Sequence, residues 1–131
     1  MTAGRYLLPL LALASGAVCF AQNDRADPNS LQRAITKARN DGRLVDAENM
    51  LRDGIRELEK DNPQNPQIAT YLKELAPLAV RTEGERAYGP LMERAYEIDR
   101  AAFGGSDLRV ANDLGLLAAY SIRAGNLQDA G

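Results

Sequence analysis

The stretch NPQIATYLKELA at residues 65–76 decides the fold, because it recurs as SDLRVANDLGLLA at residues 106–118. The two stretches align at a shift of 42 residues. A period of about 40 residues is typical of stacked helical repeats, in which each helix pair buries its apolar face against its neighbours. The sequence therefore predicts an all-α solenoid of antiparallel helix pairs. The aligned pairs are Ile68 and Val110, Ala69 and Ala111, Leu72 and Leu114, Leu75 and Leu117, and Ala76 and Ala118.

The pattern around these stretches predicts five helices and no strand. Apolar residues recur with the spacing of amphipathic helices, and glycine or proline clusters separate the segments. Ser106 is expected to cap the fifth helix, and Gly125 to end it. Short turns at 40–43, 82–85 and 124–126 would make the helices of each pair antiparallel, giving about two and a half repeats. The predicted ranges are 28–40, 44–61, 66–81, 85–103 and a fifth helix that ends near residue 123.

The small residues resemble those of tetratricopeptide repeats (TPR), in the longer-period form found in kinesin light chains. In that family the first helix carries Leu-x-x-Leu-Ala and a turn glycine follows. The second helix then has small residues five and twelve positions after the glycine. HEAT and armadillo repeats share a period near 40 residues but lack this glycine-to-alanine spacing. The matching residues are Gly42, Ala47 and Gly54 in the first repeat, Leu72, Leu75, Ala76 and Ala95 in the second, and Leu114, Leu117, Ala118, Gly125 and Ala130 in the third.

Some positions depart from the family pattern. Glu83 occupies the turn-glycine position, Tyr88 stands where a small residue is expected, and Ile35 takes an alanine position. Pro77 falls within the third helix and is expected to kink it. Gly54 lies in the middle of a helix, where glycine is unfavourable, and is explained by a close approach of two helices.

Residues 1–21 are predicted to be a secretory signal peptide. Arg5 precedes an uncharged, mostly apolar run over residues 6–20, and the sequence turns polar at Gln22. Cleavage between Ala21 and Gln22 fits the small-x-small rule, with cleavage after Ala17 as the alternative. An uncleaved anchor is the rival interpretation, although the run is short for a membrane span. Residues 22–29 would form a polar linker and residues 30–131 the repeat domain, in a periplasmic or secreted protein.

Cys19 raises the rival interpretation of a lipid-modified bacterial lipoprotein. The residues at 16–18, Gly-Ala-Val, match the usual leucine followed by two small residues poorly. Cleavage after Ala21 would leave no cysteine and hence no disulfide. It would also remove Arg5, taking the net charge from −2 to −3. This charge gives no indication of nucleic-acid binding.

The composition argues against an enzyme, a metal site or a cofactor site. The chain has no histidine, and its one cysteine is Cys19. Gly104 and Gly105 are not followed by the Lys-Ser/Thr of a phosphate loop. Asp107 is explained as an acid in the first turn of a helix, where the helix dipole favours it. No catalytic residue, metal ligand or cofactor is therefore predicted.

The resemblance implies a candidate peptide-binding face. In TPR proteins the first helix of each pair lines a concave surface that contacts a partner. This face is more basic than the whole chain, which suits an acidic peptide or a C-terminal carboxylate. The alternative is that these side chains only keep the surface soluble. The residues carried over by position are Arg33, Lys37, Lys73, Arg81, Asn112 and Arg123.

The expected function is that of an exported scaffold that binds a protein or peptide. Two alternatives are the N-terminal repeat segment of a larger exported enzyme and a self-associating structural module. By the family spacing, Ala130 begins a second helix that would cover the fifth, with Ala118 between the two. We therefore expect the helix over residues 107–124 to be incompletely covered, and to be a site of self-association.

Overall fold

The computed structural model describes residues 28–130, with side chains described for residues 29–126. This range is all-α and contains no strand. A short 3-10 helix at Glu85–Ala87 precedes the fourth α-helix. The five α-helices of the described range are α1 (Pro28–Asn40), α2 (Leu44–Asp61), α3 (Pro66–Glu83), α4 (Tyr88–Phe103) and α5 (Leu108–Ala130).

Local signals fix most helix ends. Gly42 adopts a φ of 77° after α1, a conformation that glycine reaches at little cost. Asn65 caps α3 by accepting a hydrogen bond from the backbone N–H of Gln67 at 2.9 Å. Asp107, rather than the predicted Ser106, caps α5, since its carboxylate accepts from the Arg109 backbone N–H at 2.9 Å. Hydrogen bonds from the Arg109 side chain and backbone lower the pKa of Asp107 to about 2.

Two helices run further than predicted. α3 continues through Pro77, which lies on its exposed side, and ends at Glu83 rather than at Arg81. α5 passes through Gly125 to Ala130, so the predicted turn at 124–126 is absent. Gly125 does not adopt a positive φ, and no atom would lie within 4 Å of a Cβ built there. Because no described residue packs against this point, no tertiary contact within residues 28–130 favours a bend over continued helical hydrogen bonding.

The helices form stacked pairs, α1 with α2 and α3 with α4, followed by α5. The first helices (α1, α3 and α5) interact side by side: the Gln32 amide donates to Glu74 at 3.2 Å, and the Lys73 ammonium donates to Asp113 at 3.1 Å. An ion pair between Arg94 and Glu59 joins the second helices, α4 and α2. The chain therefore has a helical-repeat fold, as the 42-residue pattern predicts.

Apolar residues of α1 to α4 form a continuous core. Gly54 marks a close helix approach in this core, since a Cβ built there would lie 3.0 Å from Leu31 and 3.1 Å from Tyr71. This contact confirms the interpretation of Gly54 as a point of close approach. The largest completely buried side chains include Ile35, Leu51, Ile68, Leu72, Leu75 and Met92.

The resemblance to TPR proteins predicts a small residue at the position of Tyr88. The larger tyrosine is accommodated because the next residue, Gly89, has no side chain. Its ring lies 5.3 Å from the ring of Tyr120 on α5. Gly89 is buried beneath Tyr120, and a Cβ there would approach the Tyr120 ring to 2.7 Å. The missing side chain of Gly89 thus lets α5 come close enough for the two tyrosines to pack together.

Replacing Gly115 by alanine is expected to raise the free energy of unfolding by about 0.5–1 kcal/mol, because glycine is unfavourable within a helix. Nothing lies within 4 Å of a Cβ built at Gly115, so the substitution adds no clash. Gly89→Ala is the matched control and should be destabilising instead, since its Cβ would meet Tyr120. Urea unfolding of both variants tests this, and equal shifts would contradict it.

The predicted signal peptide, its cleavage site between Ala21 and Gln22, Cys19 and linker residues 22–27 lie outside the described residues. Residues 28 and 29, assigned to the linker from the sequence, belong to α1. None of the helices within residues 28–130 combines the length and the apolar character that crossing a membrane requires.

Candidate functional site

The six residues predicted to contact a partner all lie on the first helices of the repeats. The contacts between Gln32 and Glu74 and between Lys73 and Asp113 place these helices in one row. The six residues therefore lie on neighbouring helices but in different environments. Arg33 and Lys37 are on α1, Lys73 and Arg81 on α3, and Asn112 and Arg123 on α5.

Lys73 lies in a largely buried ion cluster. Its ammonium donates to Asp99 of α4 at 2.5 Å and to Asp113 of α5 at 3.1 Å. Its side chain is 26% exposed, whereas Asp99 and Asp113 are 2% and 0% exposed. Because the ammonium already binds two carboxylates, its hydrogen bonds are made within the protein. The sequence analysis expects Lys73 to face a partner, whereas the structure places its ammonium in this ion cluster.

The cluster holds two acids against one base. Burial raises the pKa of Asp113, the neighbouring Asp99 raises it further, and Lys73 opposes both, leaving a net increase. Burial lowers the pKa of Lys73, but hydrogen bonds to both carboxylates outweigh it, so the net pKa is raised. Asp113 Oδ2 is buried without a hydrogen-bond partner among the described residues. These groups join α3, α4 and α5 by charge, and the lysine stays protonated at neutral pH.

Sequence reasoning did not find the partners of Lys73. Asp113 aligns with Tyr71, which packs against Gly54 in the preceding repeat. The available signal was a single acid on the stripe that α5 buries, between Val110 and Leu117. That signal marks Asp113 as a residue that needs a counter-charge, but it does not identify which lysine or arginine supplies it.

A second polar cluster is centred on the buried acid Glu48 and joins α2 to the end of α3. It accepts hydrogen bonds from Thr82 at 2.6 Å and from Arg52 at 2.9 Å, and Arg52 also binds Glu83. Burial raises the pKa of Glu48, but the hydrogen bonds from Thr82 and Arg52 outweigh it and lower the net value. These hydrogen bonds connect α2 to the end of α3, so we assign the cluster a structural role.

Arg33 and Lys37 line a shallow, open depression along α1, together with Asn29, Gln32, Thr36, Asn40 and Asp41. The ammonium of Lys37 donates to Asp41 at 2.8 Å, and its side chain is 72% exposed. With Ile35 aligned to Ala76, Lys37 takes the repeat position of Leu78, which is buried on α3. Lys37 therefore projects from the outer side of the first pair and does not continue the surface formed by α3 and α5.

Arg81 and Arg123 are equivalent residues of successive repeats, 42 positions apart, and both are exposed. Neither forms an ion pair with another residue of the described range. The Arg123 guanidinium lies 5.9 Å from the ring centre of Tyr88. Asn112 and its counterpart Thr70 are exposed on the same two helices. These four residues form the polar surface of α3 and α5 that is available to a ligand.

α5 exposes apolar residues at repeat positions that are buried on α3. Leu72 and Ala76 are 1% and 0% exposed, whereas Leu114 is 48% exposed and Ala118 is exposed. The reason is that α3 lies between α2 and α4, while α5 packs along α4 and touches α3 through Asp113 and Lys73, with no other described helix on its far side. The sequence predicts that Ala118 lies between two helices. Among the described residues, Ala118 instead lies on an exposed face of α5. Val110, expected to be partly covered, is 1% exposed because it faces α4.

The described residues contain no group of three or more His, Cys, Asp or Glu side chains arranged to hold a metal ion. Comparison with known proteins gives no match to a protein-family model. No curated protein matches the chain either. The fold and its surface define the class of the molecule as an all-α helical-repeat protein.

Proposed function

We propose that this chain is an exported scaffold of TPR-like repeats that binds an acidic protein segment or peptide and carries out no chemistry. The observation that carries the proposal is the pair of repeat-equivalent arginines, Arg81 and Arg123, which are exposed on neighbouring first helices and have no carboxylate partner within residues 28–130. The apolar run and polar transition near Ala21 support export.

Arginine is suited to this role because its planar guanidinium can bind a carboxylate with two parallel hydrogen bonds. An extended ligand that crosses α3 and α5 would meet one such group on each helix. Asn112 and Thr70 add side chains that can donate to and accept from a peptide backbone. The surface thus offers negative charge two binding points at one end of α3 and α5, and offers main-chain polar groups the side chains of Thr70 and Asn112, about 16 Å away along the same helices.

The test is the affinity of the chain for acidic peptides with free C-terminal carboxylates, measured by fluorescence anisotropy. The double variant Arg81→Glu/Arg123→Glu is expected to lose at least about 100-fold in affinity, because each of the two hydrogen bonds to a charged group contributes about 1.5–3 kcal/mol. The affinity of the unmodified chain should fall as salt is raised.

Arg100→Glu is the matched control, because Arg100 is exposed on the second helix α4 and makes no ion pair with a described residue. It should leave affinity within about twofold, as charges distant from a ligand are screened. Equal losses in the control and the double variant would contradict the proposed surface. So would equal affinity for acidic and basic peptides.

A further inference from the structure

The uncovered face of α5, formed by Ala111, Leu114, Gly115, Ala118 and Ile122, is an uncharged surface of unusual length. Between residues 110 and 122 the only acidic or basic side chain is Asp113, which is 0% exposed. At 1.5 Å per residue, the uncharged stretch extends over roughly 20 Å. Leu114 and Ile122 are 48% and 66% exposed, so the face offers substantial apolar area to a partner.

The shape of this face suits another helix. Three of its five residues are alanine or glycine, and no other described side chain lies within 4 Å of a Cβ built at Gly115. Such low side chains let two helix axes approach to about 8–10 Å. Three of the five equivalent positions on α3, Ala69, Leu72 and Ala76, are buried where α3 lies between α2 and α4. The repeat itself therefore shows which element fits here, namely an amphipathic helix.

The charges beside the uncovered face of α5 indicate which kind of helix binds there. Arg109 is held by both carboxylate oxygens of Asp107, at 2.9 and 3.0 Å. Arg123, at the other end, has no carboxylate partner among the described residues. An antiparallel second copy centred on Leu116 would bring Arg123 to the Asp107–Arg109 pair, whose carboxylate Arg109 already occupies, and a parallel copy would oppose two Arg123 side chains. Like charges in such places disfavour the contact.

We infer that the uncovered face of α5 binds an amphipathic helix of a partner protein, one that carries small and apolar residues towards Ala118 and an acidic residue near Arg123. Apart from Arg123, this surface is separate from the acidic-peptide surface of the proposed function. Experiments can therefore disprove helix binding by α5 and acidic-peptide binding independently of each other.

The probe is a synthetic peptide of residues 85–103, which contains the helix that lies beside α3 and carries Glu93, Glu97 and Asp99. Binding to the full chain would be measured by isothermal titration calorimetry. Because a short helix is mostly unfolded alone, we expect a Kd on the order of 100 μM. Ala118→Arg should weaken binding at least about tenfold, since a charge would then enter the apolar contact. Arg123→Gln should weaken it about two- to fivefold, as expected for an exposed ion pair.

Ala119→Arg is the matched control, because Ala119 aligns with Pro77, which is exposed on α3. It should leave the peptide affinity within about twofold. Ala118→Arg should also leave acidic-peptide binding unchanged, which separates this surface from that formed by Arg81 and Arg123.

Three results would overturn the inference. One is a peptide Kd weaker than about 1 mM. Another is an equal loss of affinity in the Ala118→Arg and Ala119→Arg variants. The third is a dimer in sedimentation velocity that becomes a monomer on Ala118→Arg, because the occupant would then be a second copy of the chain.

Discussion

Lys73→Met is expected to destabilise the chain by about 3–5 kcal/mol at pH 7, the range measured when one partner of a buried ion pair is removed. The substitution leaves Asp99 and Asp113, which are 2% and 0% exposed, without the ammonium that both of them bind. Arg109 also interacts with Asp99, but Arg109 is exposed and bound to Asp107. Urea unfolding at pH 7 measures the loss directly.

The loss should depend on pH in a direction set by the raised pKa values. A raised folded pKa of Asp113 contributes stability below the ordinary value of 3.8, and that contribution is lost as the pH rises through the folded value. The raised pKa of Lys73 contributes stability below 10.5, and this is lost above the folded value. The destabilisation by Lys73→Met should therefore be largest at pH values above the folded pKa of Asp113 and below that of Lys73. It should be smaller near pH 3, where Asp113 is protonated.

Two controls separate charge compensation from simple loss of packing. Lys60→Met removes an exposed lysine whose side chain is 68% accessible, and should change stability by less than about 0.5 kcal/mol. Asp113→Asn introduced into the Lys73→Met variant should restore about 1–3 kcal/mol, because it removes a buried uncompensated charge. A Lys73→Met variant within about 1 kcal/mol of the parent at pH 7 would show that the cluster is solvated.

The helix positions were predictable because their signals are local. Gly42, together with the segment 62–66, brackets α2 in the sequence, and the structure places α2 at Leu44–Asp61. The end of α5 was not predictable in the same way. A glycine can end a helix only if the chain beyond it gains more from turning than from continuing, and at Gly125 no packed element provides that gain.

The candidate site was less predictable, because periodicity identifies a face but not the residues that meet across it. Arg81 and Arg123 could be identified as equivalent and exposed from the repeat spacing alone. Lys73 stands in the same part of α3, yet its side chain is bound by Asp99 and Asp113 of two other helices. That outcome depends on which acids the packing brings within about 3 Å, a distance that no single-sequence pattern specifies.

Ala76→Arg is expected to unfold the chain or reduce its stability by several kcal/mol. Ala76 is 0% exposed, so the larger side chain must either displace packed helices or bury an unpaired guanidinium. Overpacking costs about 1–3 kcal/mol and an unpaired buried charge costs more. The total stability of a typical domain is about 5–15 kcal/mol. Loss of the cooperative transition in circular dichroism during urea or thermal unfolding would register this effect.

Ala118→Arg is the matched comparison, because Ala118 is the same repeat position one period later and is exposed. A long side chain there extends into solvent, so the free energy of unfolding should change by less than about 1 kcal/mol. The difference in free energy of unfolding between Ala76→Arg and Ala118→Arg therefore measures how completely other helices pack over α5 in solution. If Ala118→Arg were as destabilising as Ala76→Arg, another helix would have to cover the α5 face in the folded chain, and the exposed surface assigned to it would be wrong.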